Sequence, residues 1–216
     1  MLILSLSFFL MKTTGVEVRL EPFSFYIFTM LIFKELLLGF ALGLLANFFI
    51  SAFNFAAEII SYFMGLTVVN SFDPTYGQVS VLSRFFLMLF FFIFFVSDAY
   101  SYFFASLAWS LKHLPLDSLA LDQGLWQYVI ELSKEIFILA FKLAFPFALI
   151  LYIVNLALAL VNRLIPQINV FIVGLPLQVF VGLAALAFGS SLLIYIGVDF
   201  LKEMSDDYIY LLKALG

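Results

Sequence analysis

The side chains with most chemical potential in this chain are ionisable groups set into apolar sequence, chiefly Glu35, Glu58, Arg84 and Asp98. A carboxylate at a bilayer centre costs about 2.5–3.5 kcal/mol on insertion scales, so Glu35 and Glu58 must face protein, water or a headgroup layer. Catalysis finds little support in the pattern. There is a single histidine, His113, and no carboxylate pair at metal-ligand spacing, no nucleophile elbow and no phosphate loop. Ser190 and Ser191, after Gly189, read as helix packing rather than as nucleophiles. Arg84 and Asp98 share one helical face but lie about 21 Å apart along the axis, so they cannot pair with each other. Each needs a partner from another helix, or, as with an arginine that snorkels to an interface, a place outside the hydrocarbon.

The elements that position these groups belong to an all-α integral membrane protein. Of 216 residues, 65% are apolar, 19% aromatic and 11% charged, against about half apolar and a quarter charged in soluble domains. Uncharged runs over 36–57, 143–162 and 164–198 each reach the roughly 18–20 residues that cross a bilayer core. A net charge of −4 with no basic cluster argues against nucleic acid as a partner. With no cysteine there is no disulfide or thiolate metal site, and no cofactor is implied. Met1–Leu10 lacks a basic flank and does not read as a cleaved signal peptide.

The spacing predicts a helix from Phe23 to about Met64, with Glu35, Gly39, Gly43, Asn47, Ser51, Asn54 and Glu58 on one drifting stripe suited to small-residue helix packing. In Met64–Ser80 the helical pattern dissolves, and Asp73-Pro74 with Gly77 is strong turn punctuation. A very aromatic helical segment covers 81–111, a link 112–125, and a long helix 126–163 whose first half carries Glu131, Lys134, Glu135 and Lys142. The chain is then expected to break twice in apolar sequence, at Pro166 and between Gly174 and Pro176, because proline removes a donor and crowds the preceding turn. Such breaks must be covered by protein or a water-filled cavity. Gln178, Gly182 and Gly189 line one helical side beyond them, and an amphipathic tail covers 199–212.

Three motifs carry a resemblance. The first runs Asn155-Leu156-Ala157-Leu158, Arg163, Pro166-Gln167, Phe171, Val173-Gly174, Pro176-Leu177. The second is Ala57-Glu58-Ile59-Ile60 with Met64-Gly65-Leu66. The third is Phe72-Asp73-Pro74 followed by Val81-Leu82-Ser83-Arg84-Phe85. Together they resemble the FliR family, flagellar biosynthetic proteins of the type III secretion export gate. Ala159 and Leu175 replace the family's usual glycine and phenylalanine, and Ala57, Ser61 and Phe63 replace its Gly, Gly and Gln. In the family a further helix and a proline-containing loop precede the region matched here, and both are absent from this sequence.

The resemblance implies a role and partners. Segment 64–80, with Met64, Gly65, Phe72, Asp73, Pro74 and Gly77, corresponds to the plug loop across the closed gate. Residues 1–125 correspond to a part like the P-type subunit, and 126–216 to a hairpin like the Q-type subunit. Glu35, Gly39, Gly43, Glu58, Arg84, Asn155, Arg163, Pro166, Gln167, Gly174 and Pro176 correspond to subunit packing and helix breaks. The implied partners are P-type and Q-type gate subunits, the associated export switch protein, exported flagellar polypeptides and membrane lipid. The implied place is the bacterial inner membrane at the flagellar basal body. The alternative from the residues themselves is a secondary transporter, since broken helices also build solute sites; its usual two similarly broken halves are not visible here.

Overall fold

A computed structural model describes residues 25–67, 80–113, 124–167 and 169–215. Apart from the turns that join the helices, these residues are helical, without strands. In chain order the helices are α1 (Phe25–Phe63), α2 (Val81–Val96), α3 (Ala99–His113), α4 (Gly124–Leu164), α5 (Val170–Phe188) and α6 (Ser190–Leu215). At 1.5 Å per residue α1 is about 58 Å long and α4 about 62 Å, longer than a hydrocarbon core. Among the described residues, Ile130–Leu164 is long and apolar enough to cross a membrane alone. Two broken pairs, Val81–Val96 with Ala99–Ala105 and Ile172–Phe188 with Ser190–Lys202, meet the same standard if each is one span.

The chain divides into two compact units. One comprises 1–47, 95–132 and 201–216, and the other 48–94 and 133–200. In the first, α2 gives way to α3 at Ser97–Asp98. Asp98 adopts φ +56°, a left-handed conformation that asparagine and aspartate tolerate better than most residues. Its carbonyl accepts hydrogen bonds from the Ser101 amide (2.9 Å) and hydroxyl (2.7 Å), which start the next helix. The helix expected across 81–111 is therefore two helices. The single-face relation of Arg84 to Asp98, which assumes one continuous helix, does not survive the break.

The second unit holds most of the described core. On α1 the buried stripe is Phe49, Ala52, Phe53, Ala56, Ala57 and Ile60, at helical spacing, and Met64 continues it in the turn beyond. On α4 it is Leu139, Ala140, Leu143, Ala144, Phe147, Ala148 and Leu151. The alanines at 140, 144 and 148 recur every fourth residue and let backbones approach, the role small residues play where lipid offers no hydrophobic drive. From α2 come Leu82, Phe86, Phe90 and Ile93. Ring pairs Phe53–Phe90 (5.2 Å) and Phe49–Phe200 (4.8 Å) meet edge to face, the arrangement the ring quadrupole favours.

Helices α5 and α6 enter this core through glycine. A Cβ on Gly197 would lie 2.7 Å from Ile93, and one on Gly189 would lie 2.5 Å from the Phe147 ring. Gly189 also marks a 59° bend between α5 and α6. Pro166 does end a helix: α4 stops at Leu164 and residues 166–167 form a turn. The break expected between Gly174 and Pro176 is absent, since both lie inside the unbroken α5. Proline there removes only its own donor and loosens one i−4 contact, and the rest of the ladder continues. Pro146 is likewise carried inside α4.

These contacts separate two kinds of glycine. Gly189→Ala is expected to destabilise the chain by about 1–3 kcal/mol through overpacking on Phe147. Gly43→Ala, where nothing lies within 4 Å of an added Cβ, should be neutral or stabilising by up to about 1 kcal/mol from helix propensity. Thermal unfolding of both variants of the isolated chain in one detergent checks the contrast.

Candidate functional site

The polar groups that the fold does bring together lie where α1 ends. The last residues of a helix leave carbonyls without intrahelical donors, and in apolar surroundings those carbonyls need protein partners. The α1 terminus turns on Gly65, whose φ of +74° is the left-handed cap that glycine adopts without penalty. Met64 donates its amide to Ile60 (2.9 Å) and Gly65 to Tyr62 (3.0 Å). The next open carbonyl, that of Phe63, accepts a hydrogen bond from Asn155 Nδ2 of α4 at 3.3 Å. Gln178 Nε2 of α5 in turn donates to Asn155 Oδ1, fixing the orientation of that amide.

Space around this cap is used closely. A Cβ on Gly65 would fall 2.9 Å from Gln178 Oε1 and 3.3 Å from the Leu175 side chain. Met64, fully buried, lies over Gly182, where an added Cβ would come within 2.6 Å of its Cγ. The Phe63 ring stands edge-on to Tyr152 at 6.3 Å. Three helices thus converge on one helix end.

A second tie joins the other stem of segment 64–80. Ser80 precedes α2 as its N-cap, its Oγ accepting from the Leu82 amide at 3.2 Å. The same hydroxyl meets Ser61 Oγ at 2.5 Å, with both residues buried. The segment between therefore leaves α1 and enters α2 at one clamped place, and 68–79 themselves, including Phe72, Asp73, Pro74 and Gly77, lie outside the described residues.

Of the residues singled out from sequence, Met64, Gly65 and Asn155 meet at this cap. The others are dispersed. Gly39, Gly43 and Glu58 are exposed on α1, and Glu35 lies on the same helix with its side chain outside the description. Arg84 is exposed in the first turn of α2. Arg163, in the last turn of α4, is an exposed cation where the helix dipole favours one. Pro166 and Gln167 are exposed in the following turn, Gly174 is buried within α5, and Pro176 is exposed on it. Ser61, Ser80 and the amide role of Gln178 were not assigned from sequence. Gln178 stood out only as a polar group in an apolar helix, and Ser61 only as a departure from the family's glycine. Ser190, exposed, donates to the Ala187 carbonyl at 3.0 Å, a helix-end bond.

Helices of these lengths, broken spans and an internally capped loop stem define a helical membrane protein whose polar groups serve architecture. A family model described as "Bacterial export proteins, family 1" matches residues 1–204. A protein of Buchnera aphidicola (subsp. Acyrthosiphon pisum), named flagellar biosynthetic protein FliR, is 31% identical over 91% of this chain and 75% of its own length. Proteins of the same name from Aquifex aeolicus and Bacillus subtilis are 39% and 33% identical over 71% and 70% of this chain. The chain spans 59% and 60% of those two relatives. It belongs to the FliR family of flagellar biosynthetic proteins.

Asn155→Leu should leave the Phe63 carbonyl and the Gln178 amide without partners, costing about 1–3 kcal/mol. Faster limited proteolysis within 66–79, alongside a lowered unfolding temperature, is the expected outcome. Asn155→Leu with wild-type cleavage rates would show that the cap does not hold the stem.

Proposed function

We propose that the chain is an export-gate subunit of the flagellar type III protein secretion apparatus, with segment 64–80 acting as a plug in the path of unfolded flagellar polypeptides. The observation that carries this reading is the clamp at the segment's two ends. Ser61 binds Ser80, and the α1 terminus is capped by Asn155 held by Gln178. A loop that merely connected helices in solvent would need no buried hydroxyl pair at its base. One that must stay seated across a passage and yet move has reason to be held at fixed stems, with a glycine hinge at Gly65.

On this reading the chain works by obstruction and release, without catalysis. It is placed in the bacterial inner membrane, at the flagellar basal body. Residues 1–125 pack as a P-type subunit would, and 126–216 as a Q-type hairpin. The stripe of Glu35, Gly39, Gly43 and Glu58 is covered by neighbouring P-type and Q-type subunits. Open space around Gly39 and Gly43 supports this, because nothing among the described residues fills it. Arg163, Pro166 and Gln167, all exposed at the α4–α5 turn, dock to the same partners or to the export switch protein.

Two outcomes test the proposal. Deleting Thr75–Val79 together with Asp73→Ala should make membranes that contain the assembled complex leaky to small ions, and an unchanged leak with normal assembly contradicts the plug. Arg163→Ala or Pro166→Leu should reduce co-purification with P-type and Q-type subunits while leaving membrane insertion intact, and normal co-purification contradicts the docking role.

A further inference from the structure

The start of α2 carries a buried hydroxyl that the clamp leaves unused. Ser83, one turn after Ser80, is 3% exposed, and its Oγ meets no hydrogen-bond partner among the described residues. A buried hydroxyl without a partner is a cost that native folds keep only where something offsets it. Packing alone would be served as well by alanine. Three residues along a helix rise about 4.5 Å and fall about 60° short of a full turn, so Ser83 stands above Ser80 on one face.

The local sequence marks Ser83 as a helix start in its own right. Serine is among the preferred N-caps, and a hydrophobic staple joins the residue before a cap to the fourth residue after it. For a start at Ser83 that pair is Leu82 and Leu87, both apolar. For the start at Ser80 the fourth residue is Arg84, which cannot close a staple in the same way.

Other contacts hold the start that is observed. Ser80 Oγ accepts from the Leu82 amide and pairs with Ser61 Oγ, while the Ser80 carbonyl accepts from the Arg84 amide at a long 3.3 Å. Leu82 is buried, whereas Val81 is 80% exposed and anchors nothing. A start at Ser83 would also bring Arg84 to the first helical position, nearer the positive end of the helix dipole. Two sets of preferences thus compete across a single turn.

We propose that α2 has two alternative starts, capped by Ser80 in the state observed and by Ser83 in a second state in which the first turn unwinds. In the second state the Ser83 hydroxyl accepts from the amide of Phe85 or Phe86, as Ser80 now accepts from Leu82. The Ser61–Ser80 bond and the burial of Leu82 are given up. The chain between α1 and α2 gains three residues, about 10 Å of extended backbone. The two starts are a property of α2 and stand whether or not segment 64–80 is a plug.

Amide hydrogen exchange tests this in the full chain, purified in mild detergent with the subunits that accompany it. The Arg84 amide is bonded to Ser80 only in the observed state, whereas the Leu87 amide reaches the Ser83 carbonyl in either state. Ser80→Ala should speed exchange at Arg84 about fivefold, the effect of one lost cap, and leave Leu87 at its wild-type rate. Adding Ser83→Ala should carry the faster exchange, again about fivefold, on to Leu87. Adding Ser83→Thr instead, which keeps a capping hydroxyl, should leave Leu87 protected. Exchange across 143–151 of α4 should be the same in all three variants, which separates local unwinding from a loss of global stability. A Leu87 rate that Ser83→Ala leaves unchanged or slows in the Ser80→Ala background overturns the proposal, because an idle hydroxyl is removed without harm. Faster exchange at Leu87 matched by equal change across 143–151 also overturns it, and makes Ser83 a packing residue.

Discussion

The cap on the α1 terminus is the constraint from which the most residue identities follow. A helix that ends in apolar surroundings must find partners for its last carbonyls without water. Asn155 supplies one for Phe63, and Gln178 holds Asn155 in place. The turn that exposes the carbonyl needs a left-handed residue, which favours glycine at 65, and a Cβ there would also have to displace the Gln178 amide that holds Asn155. Met64 then points inward and requires Gly182 opposite it. Residues 63, 64, 65, 155, 178 and 182 are thus set by a single hydrogen-bonding problem.

Much of the helical architecture was legible in the chain because its signals are local. Long apolar runs gave α1 and α4 nearly to their ends, and Pro166 marked the α4 stop. Gly174 and Pro176 misled because two breakers in sequence suggest additive damage, whereas a helix loses one donor at proline and none at a buried glycine. Gly189 misled in the opposite direction. On a stripe with Gln178 and Gly182 it resembled packing alone, yet it both packs on Phe147 and turns the chain. The packed small residues of α4 are alanines, less conspicuous in sequence than the glycines of α1, which lie open. The Ser61–Ser80 and Phe63–Asn155 contacts join positions that no periodicity links.

The exposed surface follows from the same medium. Phe40, Val81, Met88, Phe180 and Phe188 are each more than two thirds exposed. In water such a collection would drive association. Against lipid tails or other apolar helices these groups lose nothing, and fold specificity must come from close packing and hydrogen bonds. That accounts for a core in which glycine and alanine determine which helices meet, while the large apolar residues are spread over both inside and outside.

The cap meets α4 within its uncharged run. Asn155 lies about 20 Å along the helix from Lys142 and about 12 Å from Arg163, well inside the uncharged run. The α1 terminus and the Ser61–Ser80 clamp near it are closed off by packing, with Met64, Ser61 and Ser80 all buried. An exposed helix end can leave its carbonyls open, as at the α4 terminus beside exposed Arg163 and Pro166. The two helix ends in this unit differ in sequence for that reason: one carries Pro and Gln in an open turn, the other glycine, a buried serine pair and two borrowed amides. The side-chain chemistry at each end thus records how deeply that end is buried.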